Sequence, residues 1–217
     1  MTSFCTDRDL LAAEPLIYLS GGFPAQAPAA GDDGELDGTS FTSAGSDFAA
    51  AGAAPGMVLR VADGPQAQRR ALEVVSVEGP TALTVSVLRP DAEADAVPPV
   101  AGTGLHFELR TFAAQIASVS ATLAEKLRTA SEAAGISAAE FADSAQLARC
   151  CAAGVLASVY TARAENAAAE DANWTKAEHY RRVFRRSQVR LRLAVDADSD
   201  GTAESTRTLG HVALRRV

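Results

Sequence analysis

The sequence has few aromatic residues and few cysteines, and the small number of cysteines argues against a protein held together by disulfide bonds. Aromatic side chains make up 6% of the 217 residues, while alanine is heavily used, which favours closely packed helices. Three cysteines are too few for a disulfide framework. Cys150 and Cys151 are adjacent on a predicted helix and cannot easily bond each other, so we expect reduced, buried and inert thiols.

Long apolar runs are also missing. No stretch approaches the length that crosses a lipid bilayer. The segment from Thr2 to Leu19 carries Asp7, Arg8 and Asp9 and has no uninterrupted apolar core, so it predicts no signal peptide. We therefore expect a soluble protein that is made in the cytoplasm and has no membrane partner.

The short motifs of common catalytic and nucleotide-binding sites are absent from the sequence. It contains no Gly-x-Ser-x-Gly elbow, no Walker A loop and no dinucleotide-binding fingerprint. His106, His179 and His211 lie in different predicted elements, and none has a neighbouring ligand at metal spacing. We predict that the protein is not an enzyme and has no catalytic residues, no metal site and no cofactor.

The charge that is present is unevenly distributed. The formal net charge is −7. Up to Arg110 there are fifteen acidic and six basic residues, whereas basic residues slightly outnumber acidic residues after that point. Such a dipolar chain suits head-to-tail assembly, although a solvated surface explains the same distribution.

Helix signals occur at four places. Thr6 or Asp7 can cap a short N-terminal helix, and an apolar stripe predicts a helix from Phe112 to Ala134. Ser137 and Glu140 have capping-box spacing, which predicts the start of an alanine-rich helix. A further helix is predicted from about Trp174.

Strand signals lie mainly in the first half of the chain. Alternating or β-rich runs at 57–61, 72–77, 83–88 and 105–110 predict short strands, with a hairpin loop from Glu78 to Thr81. Pro24 to Gly38 is rich in Gly, Ala, Pro and Asp and predicts a loop or linker. Apolar residues alternate again from Val189 to Val195, and a second alternating run lies near residues 211–217.

These patterns predict an α+β protein in which a helical bundle carries an inserted small β-barrel or β-sandwich module and a C-terminal β-hairpin or extended arm. Residues 1–38 would form an N-terminal helix and linker belonging to the helical domain, and residues 39–111 the inserted β-rich module. Residues 112–188 would form the helical bundle, and residues 189–217 the strand pair or arm.

An acidic segment, Asp196-x-Asp198-x-Asp200-Gly201, matches the first half of a calcium-binding loop. At the position where that loop has its bidentate glutamate, this sequence has Arg207. An acidic turn explains the same residues, because Asp and Gly tolerate a tight backbone. The mismatch favours the turn over a bound cation.

Arginines cluster around the end of the helix predicted from Trp174. The six candidate interface residues are Arg181, Arg182, Arg185, Arg186, Arg190 and Arg192. They could bind phosphates, form a solvated face near a helix C-terminus, or pair with carboxylates on another chain. The stacking aromatic residues of a single-strand binder are missing around the strand-like segments.

Four stretches of the sequence form a recognisable pattern. They are Trp174-x-x-Ala177-x-x-Tyr180-Arg181-Arg182-x-Phe184-x-x-Ser187, Leu191-Arg192-Leu193-Ala194-Val195-Asp196-x-Asp198-x-Asp200-Gly201, Val212-Ala213-Leu214-Arg215-Arg216, and the opening Thr6-Asp7-x-Asp9-Leu10-Leu11-x-x-Glu14-Pro15. On these residues the chain resembles the head–tail connector (adaptor or neck) proteins of tailed double-stranded DNA phages and phage-like particles. Small adaptors are mostly helical, so the β-rich insertion departs from the family's pattern.

The resemblance implies a structural virion protein that forms a ring, by analogy a dodecamer, between portal and tail. It would dock onto the portal protein and onto the next neck or tail protein, and DNA would pass through its lumen with only non-specific contact. It would be assembled in the host cytoplasm and reside in the virion neck. The alternative from the residues alone is a helical nucleic-acid-binding or regulatory protein that uses the arginine-rich helix.

Overall fold

The computed structural model describes residues 3–64, 68–133, 138–141, 143–164, 171–196 and 205–209. The chain divides into two compact units. Thr6–Ala113 form the barrel unit, and Met1–Cys5 with Ala114–Val217 form the helical unit. Each unit is described by itself.

Outside residues 65–67, which are not described, the barrel unit contains two short helices and six strands. They are α1 (Asp7–Ala13), α2 (Leu16–Leu19), β1 (Gln26–Asp37), β2 (Ser40–Thr42), β3 (Val58–Ala62), β4 (Arg70–Gly79), β5 (Ala82–Ser86) and β6 (Gly102–Thr111). The strands pair in the order β1-β2-β5-β4-β3-β6, and antiparallel pairing of β6 with β1 closes the barrel. The four predicted strands are β3 to β6, and the predicted hairpin loop joins β4 to β5.

The barrel interior is filled by side chains from every strand. Three phenylalanine rings are fully buried in it, with ring centroids 5.1 Å apart for Phe41 and Phe107 and 6.0 Å apart for Phe48 and Phe107. Aliphatic side chains such as Leu59 and Val85 complete the core around them. A barrel of six strands packed in this way holds its shape through its own core.

The predicted loop from Pro24 to Gly38 is wrong, because most of it forms β1. The composition has low strand propensity, but β1 pairs with β2 on one side and with β6 on the other. A Cβ atom on Gly31 would lie 2.8 Å from the Phe107 ring, and one on Gly34 would lie 2.9 Å from the Phe41 ring. Glycine therefore stands in this strand because the aromatic core needs the space.

Helix α1 begins where the capping pattern predicts. The backbone N–H of Thr6 donates a hydrogen bond to Oδ2 of Asp9 over 2.8 Å, and Thr6 is the N-cap residue. Leu10 and Leu11 are buried, as expected for the inner face of this helix. Helix α1 lies in the barrel unit, however, and not in the helical unit.

A buried carboxylate explains why α1 belongs with the barrel. Asp7 accepts hydrogen bonds from the Tyr18 hydroxyl (2.7 Å), from the Thr111 hydroxyl (2.6 Å) and from the backbone N–H of Phe112 (2.7 Å). Burial raises the pKa of Asp7, and these hydrogen bonds oppose the rise only in part. The bonds join the start of α1 to the end of β6.

In its described residues, the helical unit contains three long helices and a small sheet. The helices are α3 (Ala113–Ala133), α4 (Ser144–Arg163) and α5 (Ala172–Gln188), and the strands are β7 (Ala138–Phe141), β8 (Arg192–Asp196) and β9 (Ser205–Thr208). The first residue of α3, Ala113, is also the last residue of the barrel unit. Helices α4 and α5 pack along each other. Contacts between Thr161 and Arg181 near one end, and between Gln146 and Arg190 at the other, show that they are antiparallel.

A glycine in α4 allows side chains of α3 and α5 to pack close to the α4 backbone. A Cβ atom on Gly154 of α4 would lie 2.8 Å from both the Phe184 ring of α5 and the Val119 side chain of α3. Helix α4 is buried on almost all sides, including Cys150 and Leu156. Its small residues allow this burial, as the alanine-rich sequence predicts.

The predicted helical bundle with an inserted module is wrong as a description of the fold. The first two helices belong to a closed six-stranded barrel that forms a unit of its own. Among the described helices of the other unit, extensive backbone contact is confined to the α4–α5 hairpin. The cause lies in Asp7, Leu10 and Leu11, whose buried contacts place α1 in the barrel unit.

The predicted helix start at Ser137 is also wrong. Ala138–Phe141 is strand β7, which pairs antiparallel with β8 from Ala138 opposite Asp196 to Phe141 opposite Leu193. Helix α4 begins at Ser144, and the Asp143 side chain accepts the N–H of Gln146 over 2.8 Å as its N-cap. Residues that the capping-box pattern assigns to the first turn of a helix are therefore paired in a strand instead. Ser137 itself lies outside the described residues.

The predicted C-terminal strand pair also differs from the structure, because β7 takes part in the sheet. Strand β8 falls in the predicted run and pairs with β9, but β7 joins on its other edge to give a three-stranded sheet. The prediction was a hairpin or an extended arm. The second predicted run, near residues 211–217, lies outside the described residues.

Candidate interaction surface

Helix α5 has two sides of different character. On one side Ala177 is fully buried and Phe184 packs against Gly154. On the other side Arg182, Arg185 and Arg186 are exposed. Positions three and four apart lie on one helical face, so these three guanidinium groups share one face of the helix.

Arg181 does not belong to that face. Its guanidinium pairs with Glu178, donates to the Thr161 hydroxyl over 2.9 Å, and lies 4.7 Å from the centre of the Trp174 ring. A guanidinium over an indole ring gains a cation–π interaction. Arg181 therefore contributes a contact between α4 and α5 through Thr161, and its role as an interface residue stays a prediction.

The other five predicted arginines remain in solvent. We call Arg182, Arg185, Arg186, Arg190 and Arg192 the cationic face; all five are exposed. Within the described residues, no carboxylate lies within salt-bridge distance of any of them. Arg185 and Arg186 occupy the last turn of α5, where positive charge is favoured by the helix dipole.

An apolar residue lies beside these charges. Val189 follows the last turn of α5 and has 55% of its surface exposed. Its backbone dihedrals are still helical, so it continues the face that carries Arg182, Arg185 and Arg186. The cationic face therefore ends in one exposed apolar side chain.

The surface of the barrel unit has the opposite charge. This unit holds fifteen acidic and six basic residues, a formal charge of −9, and the rest of the chain holds twelve acidic and fourteen basic residues, a charge of +2. Asp33, Glu35 and Asp37 are exposed on β1, alternating with the buried Gly34 and Leu36. The Ser43 hydroxyl and the Gly45 N–H lower the pKa of Asp33, which keeps this carboxylate ionised.

The predicted structural histidines can be placed in part. His106 on β6 lies with its Nδ1 atom 2.7 Å from Oδ1 of Asp32 and its Nε2 atom 3.8 Å from Oε1 of Glu108. His179 contacts the Tyr180 ring edge-on at 5.2 Å. His211 and most of the acidic segment that follows Asp196 lie outside the described residues.

Two features of the described residues concern metal binding and a surface groove. No group of three or more His, Cys, Asp or Glu side chains in this part of the chain could hold a metal ion. A shallow groove in the barrel unit is lined by Gln26, Ala27, Pro28, Ala51, Met57, Thr111 and Ala113. None of these side chains is acidic or basic, so this lining cannot supply a general acid or base.

Comparisons with known proteins identify no relative of this chain. No protein-family model, no curated protein and no solved structure matches the chain. In the described residues, no helix has an apolar stretch that would span a lipid bilayer.

The sequence pattern identified the arginine cluster but did not separate Arg181 from the five arginines of the cationic face. Periodicity could have separated Arg181 from Arg182, because residues 177, 181, 184 and 188 share one helical side. The partners of Arg181 could not have been inferred, because Thr161 lies on another helix. Val189 was assigned to a strand, which hid its position at the end of the cationic face.

Proposed function

We propose that the chain is a structural protein that assembles into a closed ring in the neck of a phage-like particle, between portal and tail. The cationic face contacts an acidic surface of the next copy. DNA passes through the lumen of the ring without sequence-specific contacts. The portal protein and the next neck or tail protein are the further partners that the resemblance implies.

The observation that carries this proposal is the cationic face on a chain whose other unit is strongly acidic. A ring is built from heterologous contacts, in which one surface of a copy meets a different surface of its neighbour. Surfaces of opposite charge favour that contact and disfavour contact between two identical surfaces. The exposed Val189 adds an apolar group that such a contact would bury.

The barrel interior favours a structural role over ligand binding. Phe41, Phe48 and Phe107 fill it together with aliphatic side chains. A barrel that binds a small molecule needs an open cavity, whereas a small filled barrel is a rigid support. A rigid unit is suited to carrying load in a particle.

The test is the mass of the purified protein, measured alone and with the portal protein of the same particle. The chain has a mass of 22.4 kDa. We expect a complex whose mass is a multiple of this value and whose electron micrographs show rings with a central lumen. A chain that stays monomeric in both samples contradicts the proposal.

The same samples distinguish the nucleic-acid-binding alternative. The aromatic side chains of α5 are already engaged: Trp174 by Arg181, and Tyr180 by the Tyr160 ring with centroids 5.8 Å apart. They are therefore poorly placed to stack on bases. Tight binding of the monomer to free DNA, weakening steeply as salt is raised, would favour the alternative.

A further inference from the structure

Two cysteines that are distant in sequence meet in the helical unit. Cys5 and Cys151 are separated by 146 positions, and their Sγ atoms lie 2.9 Å apart. A disulfide bond is about 2.05 Å long, so the sulfur atoms need to move by less than about 1 Å to bond. No other pair of cysteines in the described residues is in such contact.

The surroundings hold the two thiols together. The backbone N–H of Phe4 donates to the Ser120 hydroxyl over 3.0 Å, and that hydroxyl lies 3.6 Å from the Cys151 sulfur. Cys5 is 3% exposed and Cys151 is fully buried. The segment before α1 is therefore fixed against α3 and α4 at the position of the sulfur pair.

The neighbouring thiol provides an internal comparison. Cys150 is also buried, but consecutive helix positions differ in direction by about 100°, so it points away from Cys5. Burial raises the pKa of the Cys150 thiol to about 12. At neutral pH it therefore stays almost wholly protonated and is a poor nucleophile.

We propose that Cys5 and Cys151 are an oxidation site, at which a small disulfide such as oxidised glutathione converts the two thiols into an intramolecular disulfide. One cysteine thiolate attacks a sulfur atom of the small disulfide and releases one reduced thiol. The second cysteine thiolate then attacks the protein-bound sulfur and releases the other. The two cysteine protons end on the two released thiols, and the small disulfide takes up both electrons.

Access to the buried pair does not require the fold to open. Residues 3–5 precede α1 and belong to no helix or strand. Their release breaks the hydrogen bond from Phe4 to Ser120 but none of the backbone hydrogen bonds within a helix or a strand, and local openings of this kind are a normal part of the native ensemble.

The consequence of oxidation follows from the covalent connectivity. A bond from Cys5 to Cys151 closes a loop that contains every residue of the barrel unit, Thr6–Ala113. Closing a long loop restricts the unfolded chain more than closing a short one. We therefore expect the oxidised protein to unfold at a higher temperature than the reduced protein. The inference does not depend on the proposed ring.

The test uses the full-length protein, reduced and then exposed to oxidised glutathione in the native state. Trypsin cuts after Arg8, Arg149 and Arg163, so residues 1–8 and residues 150–163 become separate peptides. Without reductant, we expect the two peptides joined, the protein lighter by two hydrogen atoms, and one titratable thiol left of three. The melting temperature should rise, and a reducing agent should reverse the rise.

Single cysteine variants show which two cysteines form the disulfide bond. Cys150→Ala should still form the link between peptides and show the rise in melting temperature, whereas Cys5→Ala and Cys151→Ala should lose both. Three free thiols in the treated wild type would overturn the proposal. So would a mixed glutathione adduct on Cys5 that never closes, or a link that persists in Cys151→Ala through Cys150. If a variant fails to fold, fragmentation of the joined wild-type peptides in the mass spectrometer shows whether Cys150 or Cys151 carries the bond, because both lie in the peptide 150–163.

Discussion

The barrel unit and the helical unit differ in where certain charged side chains lie and in whether those side chains are paired. In the barrel unit, one buried charge is paired with two cations: Glu73, only 1% exposed, accepts hydrogen bonds from Arg8 (3.1 Å) and Arg89 (3.2 Å). In the helical unit, the guanidinium groups of the cationic face remain in solvent without a carboxylate partner among the described residues. Paired charges inside a unit serve its own fold, whereas unpaired charges of one sign on a surface are available to a partner.

The two units also pack differently. The barrel places a few large rings at its centre and leaves space for them with Gly31 and Gly34. The helical unit brings helices together over small residues, with Gly154 at the closest approach. If this comparison holds, loss of a buried ring or a buried pair should destabilise the barrel strongly, while changes on the cationic face should alter assembly and not folding.

The largest expected effect is the loss of a core ring. Phe107→Ala should lower the free energy of unfolding by about 4 kcal/mol, because it removes apolar contacts and leaves a cavity. Val100→Ala, at a side chain that is 74% exposed, is the control and should change stability by less than about 0.5 kcal/mol. Urea denaturation of both variants measures the difference, and equal effects would show that the barrel does not depend on its aromatic core.

The next effect is the loss of a buried charge. Glu73→Gln should cost about 3 kcal/mol, because the buried Arg89 loses the carboxylate that it pairs with. Glu78→Gln makes the same chemical change at an exposed glutamate of the same strand and should cost much less. Replacing Arg89 by Met in the Glu73→Gln background should recover part of the loss. A Glu73→Gln protein as stable as the Glu78→Gln protein would remove the distinction between paired and unpaired charge.

A smaller effect tests the corrected start of α4. Asp143→Ala should cost about 1 kcal/mol, because it removes the side-chain acceptor for the Gln146 N–H. Ser137→Ala leaves that cap in place and serves as the comparison. Thermal denaturation with helical circular dichroism measures both changes. A larger loss from Ser137→Ala than from Asp143→Ala would return the helix start to the position that the sequence alone predicts.

The smallest effect is a pH dependence from Asp7. Burial raises the folded-state pKa of Asp7 above its ordinary value of 3.8, so the folded protein holds this proton more tightly than the unfolded chain does. The stability contributed by protonated Asp7 is fully present below the ordinary value and is lost as pH rises through the raised pKa. Asp7→Asn cannot ionise, so its free energy of unfolding relative to wild type should increase as pH rises through that window.

Denaturation of Asp7→Asn and wild type at several pH values measures this difference. Asp32→Asn is the control, because its carboxylate is exposed on the same unit. A difference between Asp7→Asn and wild type that stays constant with pH would show that Asp7 keeps its ordinary pKa when the protein folds.

Local signals predicted those parts of the fold that local chemistry determines. Alternating and β-rich runs located β3 to β6, and the cap candidates Thr6 and Asp7 located the start of α1. Strand β1 escaped prediction because Gly31 and Gly34 are explained only by rings that lie elsewhere in the sequence. Strand β7 escaped because its pairing with β8 outweighs the helix-capping pattern that starts at Ser137.

The candidate sites show the same limit. Composition located the arginine cluster and periodicity could have separated Arg181 from Arg182, but the contact of Arg181 with Thr161 depends on the packing of α4 on α5. The cysteine pair could not be inferred at all, because 146 positions separate Cys5 from Cys151. Contacts between distant segments depend on the whole fold, and no local pattern records them.

The central claim is that the cationic face is an assembly surface, and its most direct test is the sedimentation of two charge-reversed proteins. Arg182→Glu with Arg186→Glu changes the face, and Arg69→Glu with Arg163→Glu makes the same change in net charge elsewhere. We expect the first protein to keep its circular dichroism spectrum and melting temperature but to sediment as a monomer, with or without portal protein. The second should assemble as the wild type does. Assembly of a folded Arg182→Glu, Arg186→Glu protein to the wild-type mass would contradict the account.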